Sequence, residues 1–515
     1  MPLMLLIYPP SARCTEPPLG IARLAAHIEA AGGEVQCIDL CMEGIEYLLA
    51  SKVEAGDTKG KGSVRRRELA AESLRSPALY RNASRYVRAV DDLNRALRLA
   101  SAPWGAEASL ADYRDIRLSP LRRNDLACVA SVFESNVFFP LFEKRIAPAL
   151  AEVRDGWVGI SLCYLSQALC AFALAGYIKS IYPRMRIAMG GGLMTSWIAC
   201  AAIKSSESFG GLIEAAIAGP GEEPLARLLG LGKARIEDPL CLEGFSGLRY
   251  FAPVKIVPYN FSSGCPWKRC SFCPEKAEGM PYRGLPAEEA MRRLRRIEER
   301  QETGLWHFTD SEISPLYLEA LARYGGRKPW YGFARFSKKL LDLDFCRALA
   351  ASGCVMLQLG LESGDQGVLD RLGKGTKVDE IASILDNLEE AGIGTYLYVL
   401  FGTPTEGRET ALRTRDFVAA RADRIDFLNV AIFNLPSTSE EAKELETRSF
   451  FEGDLQLYRE FAHPSGWNRD SVRRFLSDEF EAIPEIRTIT ARTPPVFSSN
   501  HAPFLLGPSS RALRD

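Results

Sequence analysis

Six short apolar runs recur between residues 254 and 433, at Val254–Tyr259, Leu305–Phe308, Trp330–Ala334, Val355–Gly360, Thr395–Phe401 and Phe427–Phe433, with stretches of helical length between them. Regular alternation of this kind predicts parallel strands joined by crossover helices, here a partial β/α barrel of six strands. Such a barrel carries its active site at the C-terminal ends of the strands. Polar residues stand at those ends. Thr309, Asp310, Ser311 and Glu312 follow the second run, Arg335 the third, Glu362 and Ser363 the fourth, Gly402 to Glu406 the fifth, and Asn429 lies within the sixth. Singly, each is as readily a helix cap or a rim ion pair; together they converge on one mouth.

The loop after the first run reads YNFSSGCPWKRCSFCP and places Cys265, Cys270 and Cys273 in a C-x4-C-x2-C spacing. Three thiolates on one short loop can ligate three irons of a cubic iron-sulfur cluster and leave the fourth iron open. A structural zinc site needs a fourth Cys or His at short range, whereas the next candidates, His307 and Cys346, lie far downstream. Thirteen cysteines at irregular spacings, after an opening MPLMLLIYPP that reads as a strand and not as a signal peptide, point to a reducing cytoplasm. No apolar run approaches the ~20 residues of a membrane-spanning helix. A formal net charge of −1 provides no global field for nucleic acid or an anionic membrane.

Upstream, Leu3–Tyr8, a Pro-rich loop, a helical stretch from Ile21 and a second strand ending at Asp39 make a βαβ start. In such a unit the ligand lies beside the loop that leaves the first strand. Residues 56–155 turn charged and helical, which reads as an insertion. Its Arg65-Arg66-Arg67 is either a solvated helix face or a contact for an anion. The alternation resumes at Trp157, and Gly190, Gly191, Gly192, Gly219 and Gly221 fall where strands end and helices begin. Glycines there permit close backbone approach to a planar or nucleotide-like ligand, and equally permit tight turns.

In its cysteine loop and strand-end residues the chain resembles the radical S-adenosylmethionine superfamily, in particular the class B type with a cobalamin-binding-like Rossmann domain ahead of the barrel. The likeness covers about residues 1–50 and 155–436. It implies a cobalamin-type domain over residues 1–245 (insertion 56–155) and a radical S-adenosylmethionine barrel over 246–436; it does not reach residues 437–515, which read as an α-rich extension. It also implies a 4Fe-4S cluster on Cys265, Cys270 and Cys273, with S-adenosylmethionine on the open iron as the source of a 5′-deoxyadenosyl radical. On the same resemblance Phe272 sits beside the adenine, Asp310 and Glu312 in TDSE meet the methionine amino group, and Arg335 pairs with the carboxylate. Glu362 or Ser363 of GLES contacts the ribose, and Gly402 belongs to the FGTPTE turn near the adenine. The five glycines would cradle cobalamin.

Two features depart from the family's pattern. The superfamily's usual spacing is C-x3-C-x2-C, so the first gap here holds one extra residue. The D-x-H-x-x-G signature of cobalamin mutases is absent, and His27 falls inside a helix. Cobalamin-dependent methyl transfer to a carbon without an acidic proton is the leading expectation. Its rivals are radical oxidation, cyclisation or rearrangement without methyl transfer, and a non-catalytic iron-sulfur or scaffold protein. A small-molecule or peptide substrate and an electron donor such as flavodoxin or ferredoxin are the implied partners. The tail gives two options for Tyr458, His463, Trp467, His501 and Phe504: lining a substrate pocket, or packing on the barrel's flank.

Overall fold

The computed structural model describes residues 3–153, 156–233, 239–324, 326, 328–493 and 501–506. The Pro-rich part of the tail at 494–500 and the end of the chain from 507 lie outside them. Two compact units are present, one formed by Met1–Ser76, Arg85–Ala252 and Phe451–Leu457, the other by Pro77–Ser84, Pro253–Phe450 and Tyr458–Asp515.

The first unit is built on a five-stranded parallel sheet of β1 (Leu3–Tyr8), β2 (Glu34–Asp39), β3 (Trp157–Ser161), β4 (Arg186–Gly190) and β5 (Ala215–Ala216), in the order β2-β1-β3-β4-β5. β1 is an interior strand and apolar because both its faces are covered: Met4, Leu5, Leu6 and Ile7 are fully buried. The chain reverses direction across the sheet between β1 and β3. In a doubly wound sheet that switch point opens a crevice at the strands' C-terminal ends. Helix α1 (Leu19–Ala30) leads from β1 to β2, and α2 (Leu40–Ala50) starts directly after β2. Asp39 is the N-cap of α2, accepting from the N–H groups of Cys41 and Met42 at 3.0 and 3.1 Å, and it also accepts the Tyr250 hydroxyl at 2.8 Å. The strand-end aspartate therefore caps a helix.

Residues 56–155 hold long helices as the charged periodicity predicts, α3 (Thr58–Leu74) and α4 (Ala83–Ser101) among them. Arg66 pairs with Asp92 at 2.7 Å between these two helices, so this member of the arginine triplet is tied into the insertion. The segment Phe451–Leu457 belongs to the same unit, where the Leu455 carbonyl accepts the Trp197 indole N–H at 3.0 Å.

The second unit contains six parallel strands in strictly sequential order: β6 (Ile256–Tyr259), β7 (Leu305–Phe308), β8 (Trp330–Ala334), β9 (Cys354–Glu362), β10 (Gly394–Phe401) and β11 (Phe427–Ile432). β6 and β11 are the two edges, so this is the partial barrel expected from the alternation. Gly360 and Glu362 flank a shift of register against β10, and Glu362 has φ +61°. A β-bulge at a strand's C-terminal end re-aims the side chain there. After the barrel the tail adds a small antiparallel sheet to its helices, β12 (Leu435–Pro436), β13 (Thr447–Ser449) and β14 (Tyr458–Phe461), before α5 (Arg469–Phe475) and α6 (Pro484–Arg492). Two- to four-residue strands carrying Arg and Glu have too short an alternation to be read from sequence. Among the described residues no helix is long and apolar enough to cross a membrane.

Candidate functional site

The cysteine loop leaves β6 and is fastened at both ends. At its start, Asp310 beyond β7 accepts from Phe261 N at 3.0 Å, from Ser262 N at 2.7 Å and from the Ser262 hydroxyl at 2.6 Å. Burial pushes the Asp310 carboxyl up to about 6, and the same hydrogen bonds oppose the rise. In the first gap Lys268 takes φ +50°, a left-handed residue that absorbs the extra position in the spacing. Toward its far end the loop rests on residues 372–375. Trp267 donates its indole N–H to the Gly373 carbonyl at 2.9 Å, and Ser271 N donates to the Leu372 carbonyl at 2.9 Å. Gly375 has φ +67° and lies so close that a Cβ would meet the Trp267 ring at 2.2 Å. This Leu-Gly-Lys-Gly segment is the part of the site that sequence reasoning missed.

Charges of both signs surround the thiols. The Cys265 thiol donates to Glu312 Oε2 at 3.4 Å, while Glu312 Oε1 faces Arg335 Nε at 3.9 Å. Arg335 lies over the Trp267 ring at 3.9 Å and donates to the Lys374 carbonyl. Lys374 Nζ pairs with Glu362 Oε1 at 2.8 Å, with both side chains almost fully buried, and stands 5.7 Å from the Phe272 ring centroid. One contiguous patch thus unites Cys265, Phe272, Glu312, Arg335, Glu362 and Lys374, drawn from the ends of four different strands. Burial raises all three thiols, and at Cys270 the charges of Lys374 and Arg335 pull the other way. Glu312 is likewise raised by burial, with Arg335 opposing.

The chemistry of this donor set fits a cubic cluster. All three cysteines are free thiols, each partly exposed, on one loop. Among the described residues no three His, Cys, Asp or Glu side chains close around a single metal ion. A cubane instead takes one thiolate at each of three separate irons. The hydroxyl of Ser271, between the second and third cysteines, is buried without a partner, as are those of Thr376 and Ser337.

Ser363 and Gly402, two further strand-end residues, have structural partners. Ser363 is fully buried, shares a hydrogen bond with Thr414 at 3.1 Å and accepts from Asp365 N at 3.1 Å. Gly402 has φ +80°, and its N–H is bound by Glu406 Oε2, which also accepts the Trp467 indole N–H at 3.1 Å. Burial pushes Glu406 up to about 7. His463 Nε2 lies 2.9 Å from the Thr403 carbonyl, so the tail segment 463–467 grips the turn after β10 at two points. His501 and Phe504 act elsewhere. His501 packs on Tyr396 near the start of β10, and both pack on Phe427 at the start of β11, the end of the barrel opposite the mouth. For these two, packing is the better account. Tyr458 pairs with Pro436 within the tail sheet.

In the first unit the glycines lie at strand ends. Gly191 follows β4 with φ +105°, and a Cβ there would strike the Leu162 carbonyl at 2.5 Å. Gly219 has φ +69° and gives its N–H to Thr195 Oγ1 at 2.9 Å. Gly190 and Gly192 meet only ordinary contacts, and Gly221 approaches Leu24 at 3.2 Å. Tight turns account for the first pair; of the rest, the Gly190 and Gly221 carbonyls are held by Leu162 N and Leu225 N.

Residues 259–418, from the end of β6 through the helix after β10, match the profile of the Radical SAM superfamily. Over those residues the barrel is similar to a radical S-adenosylmethionine domain. Three curated relatives share sequence with the chain: the bacteriochlorophyllide d C-12(1)-methyltransferase of Chlorobaculum tepidum (28% identical, 34% of this chain and 39% of the relative), the hopanoid C-3 methylase of Methylococcus capsulatus (28%, 39% and 38%), and the anaerobic magnesium-protoporphyrin IX monomethyl ester cyclase of Rubrivivax gelatinosus (24%, 34% and 32%). The matches thus span about two fifths of the two methylases. Among solved structures, the radical S-adenosylmethionine methyltransferase TsrM from Kitasatospora setae with cobalamin and a [4Fe-4S] cluster bound superposes with a TM-score of 0.53 at 17% identity, over 86% of this chain and 77% of that one. The cobalamin-dependent radical enzyme OxsB with aqua-cobalamin bound gives 0.52 at 12%, over 93% and 67%. At such identities the likeness is one of fold, and it extends beyond the radical S-adenosylmethionine domain to most of the chain.

Proposed function

We propose that the chain is an enzyme that transfers a methyl group to an unactivated carbon, with a 4Fe-4S cluster and S-adenosylmethionine at the barrel and cobalamin at the first unit's sheet. The observation that supports this is the pairing, in one polypeptide, of a parallel sheet in the order β2-β1-β3-β4-β5 with a barrel whose first loop carries three free cysteines. When bound, the cluster supplies the electron that splits the sulfonium to a 5′-deoxyadenosyl radical, and cobalamin carries the methyl group. The chain's own residues then have the work of placement and charge. Cys265, Cys270 and Cys273 hold the cluster as thiolates. Loss of the Cys265 proton removes the donor now on Glu312, freeing that carboxylate for an ammonium group. Arg335, kept flat against Trp267, presents a guanidinium fork suited to a carboxylate. Lys374 holds Glu362 at the strand bulge, and Phe272 offers a ring face beside them. Asp310 and Ser363 support the loop and the bulge from behind. A small-molecule or peptide substrate, a flavodoxin- or ferredoxin-type electron donor and a cytoplasmic setting complete the reading.

Reduced, cobalamin-loaded protein incubated with methyl-labelled S-adenosylmethionine and candidate substrates tests it. Label recovered in a carbon-methylated product is the expected result. Deoxyadenosine formed alongside an unlabelled, altered product favours oxidation or cyclisation, the second reading that similarity to the Rubrivivax cyclase makes worth separating. If reconstituted protein cleaves no S-adenosylmethionine, both readings fail.

A further inference from the structure

A cavity of about 610 Å³ lies in the tail of the second unit, walled by β13, β14 and the start of α5. It is separate from the cysteine loop, but His463 in its wall lies 2.9 Å from the Thr403 carbonyl of the turn after β10. The cavity therefore adjoins the rim of the barrel mouth. Phe450 and Phe461 give it apolar faces.

Three arginines and three acids also line it, and most of them neutralise one another in place. Arg448 pairs with Glu460 at 2.8 Å and Arg473 with Asp470 at 3.2 Å. Arg469 differs. Its Nη1 donates to the Asn434 side-chain oxygen at 2.8 Å and to the Phe433 carbonyl at 3.4 Å, both neutral acceptors, and the guanidinium stands 5.0 Å from the Phe450 ring. Its Nε is buried without a partner, and no carboxylate lies within ion-pair distance of it among the described residues. The remaining acid, Glu446, is exposed. Glu460 and Asp470 act on it only at longer range, so this half-buried guanidinium beside two aromatic faces lacks a carboxylate in direct contact.

We infer that this cavity is the anchoring subsite for the substrate, and that Arg469 receives a carboxylate carried by a molecule with an aromatic or aliphatic body. The inference rests on the reading that the C-terminal face of the barrel is the reaction mouth, because a group held here places the rest of the molecule toward the turn at 402–406. The three arginines and three acids of the wall already balance, so a single carboxylate is the anion that adds the least negative charge. A phosphate dianion would face Glu446, Glu460 and Asp470 with an excess of negative charge.

Ligand-observed NMR titration of the full chain with 3-phenylpropionate, and in parallel with 3-phenylpropionamide, tests this. Wild-type protein is expected to bind the carboxylate about tenfold or more tighter than the neutral amide, the scale of a charge-assisted pair over a neutral one. Arg469→Gln should abolish that preference without changing amide binding, while Arg448→Gln, at the exposed and already paired arginine, should leave it within about twofold. Because Arg469 also ties the chain after β11, circular dichroism checks that the Gln variant folds. Should it not, Arg469→Lys decides, with an expected loss of several-fold from the missing fork. Equal binding of acid and amide, no binding of either, or an unchanged preference in the folded Arg469 variant overturns the inference. The titration needs no cluster and no turnover. A failed titration leaves methyl transfer untouched, and a protein that cleaves no S-adenosylmethionine can still show the carboxylate preference.

Discussion

Lys374 and Glu362 form an ion pair 2.8 Å apart with both side chains almost withdrawn from water, directly beneath the cysteine loop. A buried pair of this kind contributes little net stability, but breaking it strands one charge, at a cost of about 3–5 kcal/mol. Lys374→Met is therefore expected to lower the urea stability of the barrel unit by roughly that amount, and Lys374→Met with Glu362→Gln to recover most of it. A single variant as stable as the double one would show that the pair is not buried in solution. Two other carboxyls at the strand ends set a pH dependence. Asp310 and Glu406 are pushed up by burial to about 6 and about 7, above their unfolded values of about 3.9 and 4.3. In that window the folded form keeps protons that the unfolded form releases, so stability falls as pH rises, by about 1.4 kcal/mol per pH unit for each group. The effect is complete below pH ~4 and fully lost above ~7. Denaturant melts from pH 4.5 to 8 should show that slope, and Glu406→Gln should flatten its upper part.

The tail acts on the barrel as an element. Trp467 and His463 hold the Gly402–Glu406 turn by side chains sixty or so residues away in sequence. Trp467→Phe keeps most of the ring's packing and removes only the donor to Glu406. A loss of about 1–2 kcal/mol is expected, read as faster amide exchange at 401–407 with little change on β7 and β8. Uniform acceleration across the barrel would mean that the indole is a general packing residue. The same elements show what could be read from sequence. The barrel strands, the cysteine loop and the polar strand ends were legible because strand periodicity and ligand spacing are local signals. The Leu372–Gly375 support was not, since Gly-Lys-Gly looks like any turn and its partner Trp267 lies 106 positions away. The tail sheet was missed because strands of two to four residues carry no period, and the burial of Ser363 because GLES reads alike whether its serine faces the mouth or Thr414. Residue type did not reveal which charged pairs would be answered and which left open; only the fold brings Arg469 to neutral partners.

At the scale of the whole molecule, the two compact units make separate claims about cofactors, and these can be tested separately. A ligand that binds only the folded form stabilises it by about 2.7 kcal/mol at a hundred times its dissociation constant, which for units of roughly 250 residues is a shift of about 5–10 °C. Hydroxocobalamin is expected to slow amide exchange at the C-terminal ends of β1, β3 and β4 and in the loop after β1, where the strand order reverses. Reconstituted cluster with S-adenosylmethionine is expected to protect residues 260–275, 310–312 and 372–376 instead, and replacing Cys265, Cys270 or Cys273 with alanine should remove that second pattern while leaving the first intact. Each unit thereby controls for the other. Hydroxocobalamin that leaves exchange across β1, β3 and β4 unchanged would mean that this sheet has kept the doubly wound order without the ligand. The proposal of methyl transfer would then give way to one of radical chemistry at the barrel alone.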